Sequence, residues 1–513
     1  MKVLALNPPF HPKFSRDSRS PAVSKGGCVY YPIWLGYAAA AMEKAGHKVK
    51  LLDCPAESKG LEETLKIAAE FRPEMVVVET STPSIIADAK AAVEVRKATG
   101  AFTVMAGTHA SAMPEGTLEM APGIEAVARR EFDYIVRDLA NELESGKDSW
   151  KSVKGITFRD KDGKIRSNPD MPFIENLDEI PFVADVYKRN LNIRNYFYPS
   201  VLFPEVTIIT GRGCPNYCTY CVIPQTLNGH RYRTRSVQNL ADEFEWIKKN
   251  MPEVRDVMIE DDTFTADKKR VREFAEEIKR RGLNITYTIN ARADVDYETL
   301  KALKASGCRL MCVGFESADQ QILNNIKKGT VVERIKTFRE DAKKAGVLIH
   351  GCFMLGNKGE TKETIEKTVK WALELDPDTA QFFPIMVYPG TEDYDWFRKN
   401  GLLLTEDYGK WLDKEGNHRT LISRPGLSAE ELVEKCDEAR ARFYLRPKYM
   451  LKKGKQMLLN PSDIPRTLIA SRVFYKHFFG KKHSQKEEKI ESEALQSVSS
   501  GQSELAQIGK PKE

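Results

Sequence analysis

The sequence predicts an α/β protein built in two successive parts, an open parallel sheet and then a partial (β/α)6 barrel, with a helical extension behind them. Three observations carry that expectation. Strand-like apolar runs alternate with helical patterns twice along the chain, a turn-rich stretch separates the two series, and after about Gly401 the pattern is mostly helical. Strands that alternate with helices imply crossover connections and therefore parallel pairing.

In the first series KVLALN, KVKLLD, MVVVET and FTVMAG read as strands, with helical segments such as IWLGYAAAAMEKAG and SIIADAKAAVEVRKATG between them. Ligands of open parallel sheets bind at the carboxyl ends of strands, which places NPPF, ETSTPS and AGTHAS at the ligand edge. Residues 1–148 form the expected first domain. Residues 149–204, with RDKDGKIRSNPDMPFIENLDEIP, read as a linker rich in turn residues. The second series runs through EVTIIT, VRDVMIED, NITYTIN, RLMCVGFES, VLIHGCFMLG and AQFFPIMVYPG and fills residues 205–400. Chemistry in such barrels sits at the carboxyl ends of the strands. Residues 401–483 are expected to be helical and basic, and the polar stretch 484–513 to be a disordered tail.

Composition narrows the class. The 513 residues are 41% hydrophobic and 30% charged, as in ordinary globular proteins. No apolar run reaches the ~18 residues that span a bilayer, and MKVLALNPPF is too short an apolar start for a secretory signal, so a cytoplasmic protein is expected. Nine cysteines, an odd number with three bunched together, suit reduced thiols and a metal site better than disulfides. Net charge is +6, but residues 439–483 carry twelve Lys or Arg against one acid, Asp463. That asymmetry calls for an anionic partner.

Cys214, Cys218 and Cys221 have C-x3-C-x2-C spacing and follow the first strand of the second series, so a loop there can aim three thiolates at one centre. Structural zinc would require a fourth ligand, from His230 or a distant Cys. A 4Fe-4S cube held by three thiolates leaves one iron open to a non-protein ligand.

With Tyr220 as the aromatic residue before the last cysteine, this stretch resembles the signature of radical SAM enzymes. The resemblance implies that the amino and carboxylate groups of S-adenosylmethionine (SAM) take the open iron. An electron from the cluster then releases a 5'-deoxyadenosyl radical. It further implies SAM contacts from the later strand ends. Glu260, Asp261 and Asp262 in MIEDDTFT would receive the amino group, and Arg292 in NARAD would meet the carboxylate, with Asn290 of the same run a further cofactor-binding candidate. Glu316 in GFES would accept from the ribose hydroxyls, and Gly356 in GCFMLGNKGET would approach adenine.

Ahead of the barrel, LNPPF, YPIWLGYAAAAMEKAGHKVKLLD and AGTHAS resemble the cobalamin-binding type of radical SAM protein, with a Rossmann-like first domain. Cobalamin is therefore an expected cofactor beside the cluster and SAM. No D-x-H-x-x-G is present to ligate cobalt, which leaves His109 as the nearest candidate for the corrin pocket. Within the type, CVIPQTLNGHRYRTRS, EDDTFT and ARREFDYIV are most similar to hopanoid-biosynthesis enzymes that tailor a lipid head group. On that resemblance the reaction is rearrangement, cyclisation or methylation of a lipid, driven by an electron donor such as flavodoxin or ferredoxin. Gly229, His230, Arg231, Arg233 and Arg235 are candidates for holding the substrate's polar group.

In residues 439–483 the cations interleave with seven aromatics, including Phe443, Tyr449 and Phe474, which suits a helix lying on an anionic bilayer. RNA is the less favoured partner, since no small RNA-binding barrel follows. Two other readings stay open: a cobalamin-dependent methylase of a small molecule or peptide, and a zinc-stabilised nucleic-acid-binding protein.

Overall fold

The computed structural model describes residues 1–24, 26–146 and 148–459. Its first sheet contains β1 (Lys2–Asn7), β2 (Lys48–Asp53), β3 (Met75–Thr80), β4 (Phe102–Gly107), β5 (Ala126–Ala128), β6 (Ile156–Arg159) and β7 (Ile165–Ser167). The strand order is β2-β1-β3-β4-β5-β6-β7, parallel from β2 to β5 and antiparallel beyond. β3 reads as an almost unbroken apolar run because it is central, and all its residues are buried. The order reverses between β1 and β3, which opens a crevice at their carboxyl ends.

β6 and β7 come from the stretch read as a linker. Their hairpin turns through Asp160–Gly163, so the turn residues dominate the sequence signal while only Ile156 and Phe158 mark the buried face.

The second sheet starts with β8 (Glu205–Ile208). A short antiparallel ladder follows, β9 (Gly211–Arg212) against β10 (Arg233–Thr234). Then come β11 (Asp256–Ile259), β12 (Tyr287–Ala291), β13 (Cys308–Glu316), β14 (Leu348–Leu355) and β15 (Thr379–Pro384). The parallel order β15-β14-β13-β12-β11-β8 leaves β8 and β15 as edges, a partial barrel.

The helix Ile33–Lys44 joins the two sheets. Its small and apolar residues from Ile33 to Met42 are all buried, and a Cβ at Gly36 would lie 2.7 Å from the Tyr187 ring. Tyr37 Oη donates to the Ile209 carbonyl at 3.0 Å and accepts from the Ile209 N–H at 2.8 Å, pinning this helix to the first barrel strand. Met1–Phe443 accordingly forms one compact unit.

The start of the basic segment departs from the expectation of a membrane-facing helix. In the helix Ala429–Tyr444, Arg442 forks onto Glu366 at 2.6 and 3.0 Å, Arg440 donates to the Phe382 carbonyl, and Phe443 is buried against Phe382. These side chains cap the barrel. The expectations for residues 460–483, including Phe474, and for the tail 484–513 fall outside the described residues. Among the described residues no helix is long and apolar enough to cross a membrane.

Candidate active site

The β9–β10 ladder gathers residues 213–232 into a loop at the mouth of the barrel. Gly213 adopts φ +83°, and a Cβ there would press into the Arg231 carbonyl, so the turn into the cysteines needs glycine. Cys214, Cys218 and Cys221 are all free thiols on this loop. Gln225 Nε2 collects the carbonyls of Cys221, Cys218 and Thr219 at 2.9, 3.2 and 3.3 Å and so sets the shape of the loop. Its Oε1 accepts from the Glu392 N–H at 3.0 Å.

Burial pushes the Cys221 thiol up to about 12 and raises that of Cys214, and the neighbouring cysteines add to the shift. Buried thiolates of this kind require a cation, and ligation releases their protons. No three His, Cys, Asp or Glu side chains among the described residues converge enough to hold a single ion. A tetrahedral zinc site would need its sulfurs about 4 Å apart. A cube places each thiolate on a different iron and leaves one iron for a non-protein ligand. His230, the alternative zinc ligand, turns Nδ1 to the Cys214 and Asn216 carbonyls at 3.1 and 3.0 Å and stacks on exposed Tyr217.

An arc of acids faces this loop. Glu260 is buried, which raises its carboxyl; Oε2 has no hydrogen-bond partner, while Oε1 lies 3.6 Å from Arg19. Asp261 spends its carboxylate on Thr210, accepting from N at 2.6 Å and Oγ1 at 2.7 Å, so its backbone oxygen is what meets Arg19 and Asn290, at 2.9 and 3.4 Å. Asp262 accepts from Asn228 at 3.0 Å and lies 3.3 Å from Arg19.

On the far side, Glu316 takes φ +63° where the β13–β14 register shifts. Its Oε1 accepts from Tyr220 Oη at 3.0 Å and Lys328 Nζ at 2.8 Å, and its Oε2 is buried with no partner. Burial and the facing Glu316 carboxylate raise the Tyr220 phenol, which keeps it a donor. Arg292 donates Nη2 to the Lys328 carbonyl and to Thr330 Oγ1. Gly356 directly follows β14, with Leu432 packed where a Cβ would stand and its N–H given to Glu360 at 2.6 Å.

At the edge of the first sheet, His109 is fully buried: Nδ1 pairs with Thr82 Oγ1 at 3.1 Å, Nε2 has no partner, and Tyr408 packs edge-on against the ring. Burial lowers its pKa to about 3, so the imidazole is neutral. The crevice between β1 and β3 holds Arg16, paired with Asp88 and with Asn7 at 2.5 Å. There the buried Asp17 and Glu79 carboxyls face each other, and burial raises both.

Two of the candidates for a substrate's polar group are instead structural. Arg233 pairs with Glu131 and donates to the Ile174 carbonyl at 2.6 Å; Arg235 is buried on Glu243. Arg231 is exposed and paired with Glu175. Arg19, Gln225 and Lys328 were missed by sequence reasoning: Arg19 and Lys328 act on partners distant in the chain, and Gln225, although only four to seven residues from the carbonyls it gathers, carries no spacing signal of its own.

Comparison with known proteins defines the class. The chain matches the radical SAM superfamily over residues 208–372 and the B12 binding domain over residues 19–140. An uncharacterized methyltransferase of Pyrococcus horikoshii is 32% identical over 88% of this chain and 94% of its own. Hopanoid C-3 methylase of Methylococcus capsulatus is 26% identical over 74% of this chain and 70% of its own. The radical SAM methyltransferase TsrM of Kitasatospora setae, solved with cobalamin and a 4Fe-4S cluster, shares the fold with TM-score 0.65 and 20% identity, over 85% of this chain and 90% of that one. The chain belongs to the radical SAM superfamily, in its cobalamin-dependent methylase family. It is an enzyme whose cofactors are a 4Fe-4S cluster, SAM and cobalamin, and the zinc-stabilised nucleic-acid-binding reading is overturned.

Proposed function

We propose that this enzyme methylates an unactivated carbon of a lipid or lipid-linked substrate, with Cys214, Cys218 and Cys221 as the cluster ligands. The observation that carries the site is the pair of buried carboxylate oxygens, Glu260 Oε2 and Glu316 Oε2, that flank the thiol loop without partners. An unsatisfied buried acceptor costs about 1–3 kcal/mol, so both are ready to receive a ligand's donors. Glu260, with Asp262 and Asn290 beside it, would take the SAM ammonium, and Glu316 the ribose hydroxyls. Arg292 and Gly356 would act at the periphery, through the segments they hold. The carboxyl edge of the first sheet, from Ser81 to Ser84 and from Gly107 to Ser111, would seat cobalamin, with His109 as a buried, neutral part of its floor. Bound there, the cofactors supply a hydrogen-abstracting adenosyl radical and a transferable methyl group. Gln225 and Tyr220 hold the loop geometry, and the helix Ile33–Lys44 closes the two sheets against water. On this reading residues 1–148 carry cobalamin and residues 205–400 the cluster and SAM.

Support for a lipid comes from the likeness to hopanoid C-3 methylase and from the helix Pro447–Leu459, which exposes Met450, Leu451 and Leu458 between lysines. Such a helix suits adsorption to an anionic bilayer. A low-potential one-electron carrier completes the system. The test is lipid mass spectrometry of cells with and without the gene, grown on methyl-deuterated methionine. A labelled lipid that vanishes with the gene supports the reading. Loss of a labelled water-soluble metabolite instead, with lipids unchanged, establishes the small-molecule methylase.

A further inference from the structure

We infer that Lys328 is a positioning residue that couples SAM binding to reduction of the cluster, by joining the cluster loop and the ribose acceptor through one ammonium. The inference rests on the functional reading above. Lys328 is 7% exposed, and its Nζ donates to Glu316 Oε1 at 2.8 Å and to Tyr220 Oη at 3.1 Å. Tyr220 donates to that same Oε1 at 3.0 Å. Three elements distant in sequence thus meet at one oxygen: the loop between Cys218 and Cys221, the end of β13, and the turn after the helix Gln320–Asn325.

The arrangement is built rather than incidental. The Lys328 N–H donates to the Leu323 carbonyl at 2.9 Å, and its own carbonyl accepts from Arg292. Gly314 leaves room for the contact, since a Cβ there would stand 2.7 Å from Lys328 Nζ and press into Glu316 Oε1. The Thr219 N–H donates to the Ile326 carbonyl at 3.2 Å, a second tie between the cluster loop and the turn that carries Lys328. An ammonium this buried is tolerated only when paired, and here its pairing leaves Glu316 Oε2 as the oxygen still open.

Charge gives the tie its function. Three thiolates with Glu260, Asp262 and Glu316 make a negative surrounding that opposes adding an electron. Lys328 and Arg19 are two cations that face it, Lys328 within electrostatic range of Cys218 and Arg19 within that of Cys221, with Arg292 behind Lys328. Net charge around a cluster is one of the levers on its potential. One electron enters from the low-potential carrier and no atom is transferred. When ribose hydroxyls donate to Glu316 Oε2, they draw carboxylate charge away from Lys328, so more of its positive field falls on the cluster. Linkage makes the effect reciprocal: SAM favours the reduced cluster, and reduction favours SAM.

The test uses anaerobically reconstituted full-length protein: wild type, Lys328→Met, Lys328→Gln and Lys328→Arg. Iron and sulfide content and SAM affinity by equilibrium dialysis are measured. A redox titration of the reduced-cluster EPR signal is run with and without SAM. Both neutral variants are expected to load the cluster and to show a more negative midpoint, a diminished SAM-dependent shift and several-fold weaker SAM binding, because the ammonium that holds Glu316 in place against the cluster loop is gone. Lys328→Arg should restore the midpoint. If Lys328→Met fails to assemble, Lys328→Gln, which keeps a hydrogen-bonding head without the charge, decides. A neutral variant that loads the cluster and keeps the wild-type midpoint and SAM shift overturns the inference. Wild type that takes up no iron and sulfide overturns the functional reading, and this one with it.

Discussion

Arg19, on the arm that follows β1, lies 3.3 Å from Asp262 Oδ1 and donates to the Asp261 carbonyl at 2.9 Å, so a side chain from the first domain closes on the mouth of the barrel. Its guanidinium also faces the Glu260 carboxylate, whose second oxygen is buried and without a partner. Arg19→Met should leave cluster loading intact and weaken SAM binding several-fold, because Glu260 then protonates more readily. Equilibrium dialysis against iron content separates the two effects. The Arg19 side chain is 36% exposed, so the stability loss should stay near ~1 kcal/mol.

Each of Cys214→Ala, Cys218→Ala and Cys221→Ala should abolish cluster assembly while the two sheets persist. Iron and sulfide analysis, the visible absorbance of the cluster and far-ultraviolet circular dichroism read these out together. Full iron content in any single variant would refute that ligand's assignment.

The turn into the thiol loop is conformationally strict. Gly213→Ala forces a Cβ into the Arg231 carbonyl at φ +83°, and should cost about 1–3 kcal/mol together with most of the cluster. Gly163→Ala, at φ +77° with open space around it, is the control: it should lose a similar backbone term and keep its iron.

Arg233 and Glu131 form a buried pair between the segment after the cysteines and the segment after β5, at 4% and 3% side-chain exposure. Arg233→Met alone should destabilise by about 3–5 kcal/mol, since the buried Glu131 loses its two-pronged partner and keeps only the Ile174 N–H and Arg212 at 4.0 Å. Arg233→Met with Glu131→Leu should recover much of that loss in urea unfolding. A substrate-binding role for Arg233 predicts the opposite pattern, unchanged stability with raised KM.

Burial lifts Glu205 from 4.5 to about 8 at the start of β8. The folded state then holds this proton over a range in which the unfolded chain has released it. The stabilisation is present below the unfolded value and is lost as pH rises through the folded one. Urea unfolding should therefore show stability falling between about pH 5 and pH 8, with a shallower slope in Glu205→Gln. An unchanged slope would count against the buried neutral carboxyl.

Much of the architecture was legible in the sequence because parallel strands buried on both faces leave long apolar runs, as in MVVVET, and their crossovers leave helical periodicity. The β6–β7 hairpin was not, since a few buried residues around a DKDG turn look like a connector. The cysteine spacing, Tyr220, Glu260 and Glu316 stood out in the sequence as candidates because each belongs to a local run at a strand end. Arg19 and Lys328 were not, because their partners lie on other elements, and Gln225 was not, because a glutamine gathering nearby carbonyls leaves no spacing signal. Arg233 and Arg235 drew a binding role by charge alone, and the structure shows them paired with Glu131 and Glu243.

What the sequence by itself determined is the set of local signals: three cysteines at one spacing, an aromatic among them, and two series of strands whose ends carry acids and glycines. Periodicity and spacing are properties of neighbouring residues, so they survive without coordinates. Only the tertiary structure decided which side chains are spent and which are left open: Asp261 consumed by Thr210, and Glu260 and Glu316 each keeping one buried oxygen without a partner. Hydrogen-bond satisfaction is settled by which elements meet, and that depends on how the two sheets pack around the helix Ile33–Lys44.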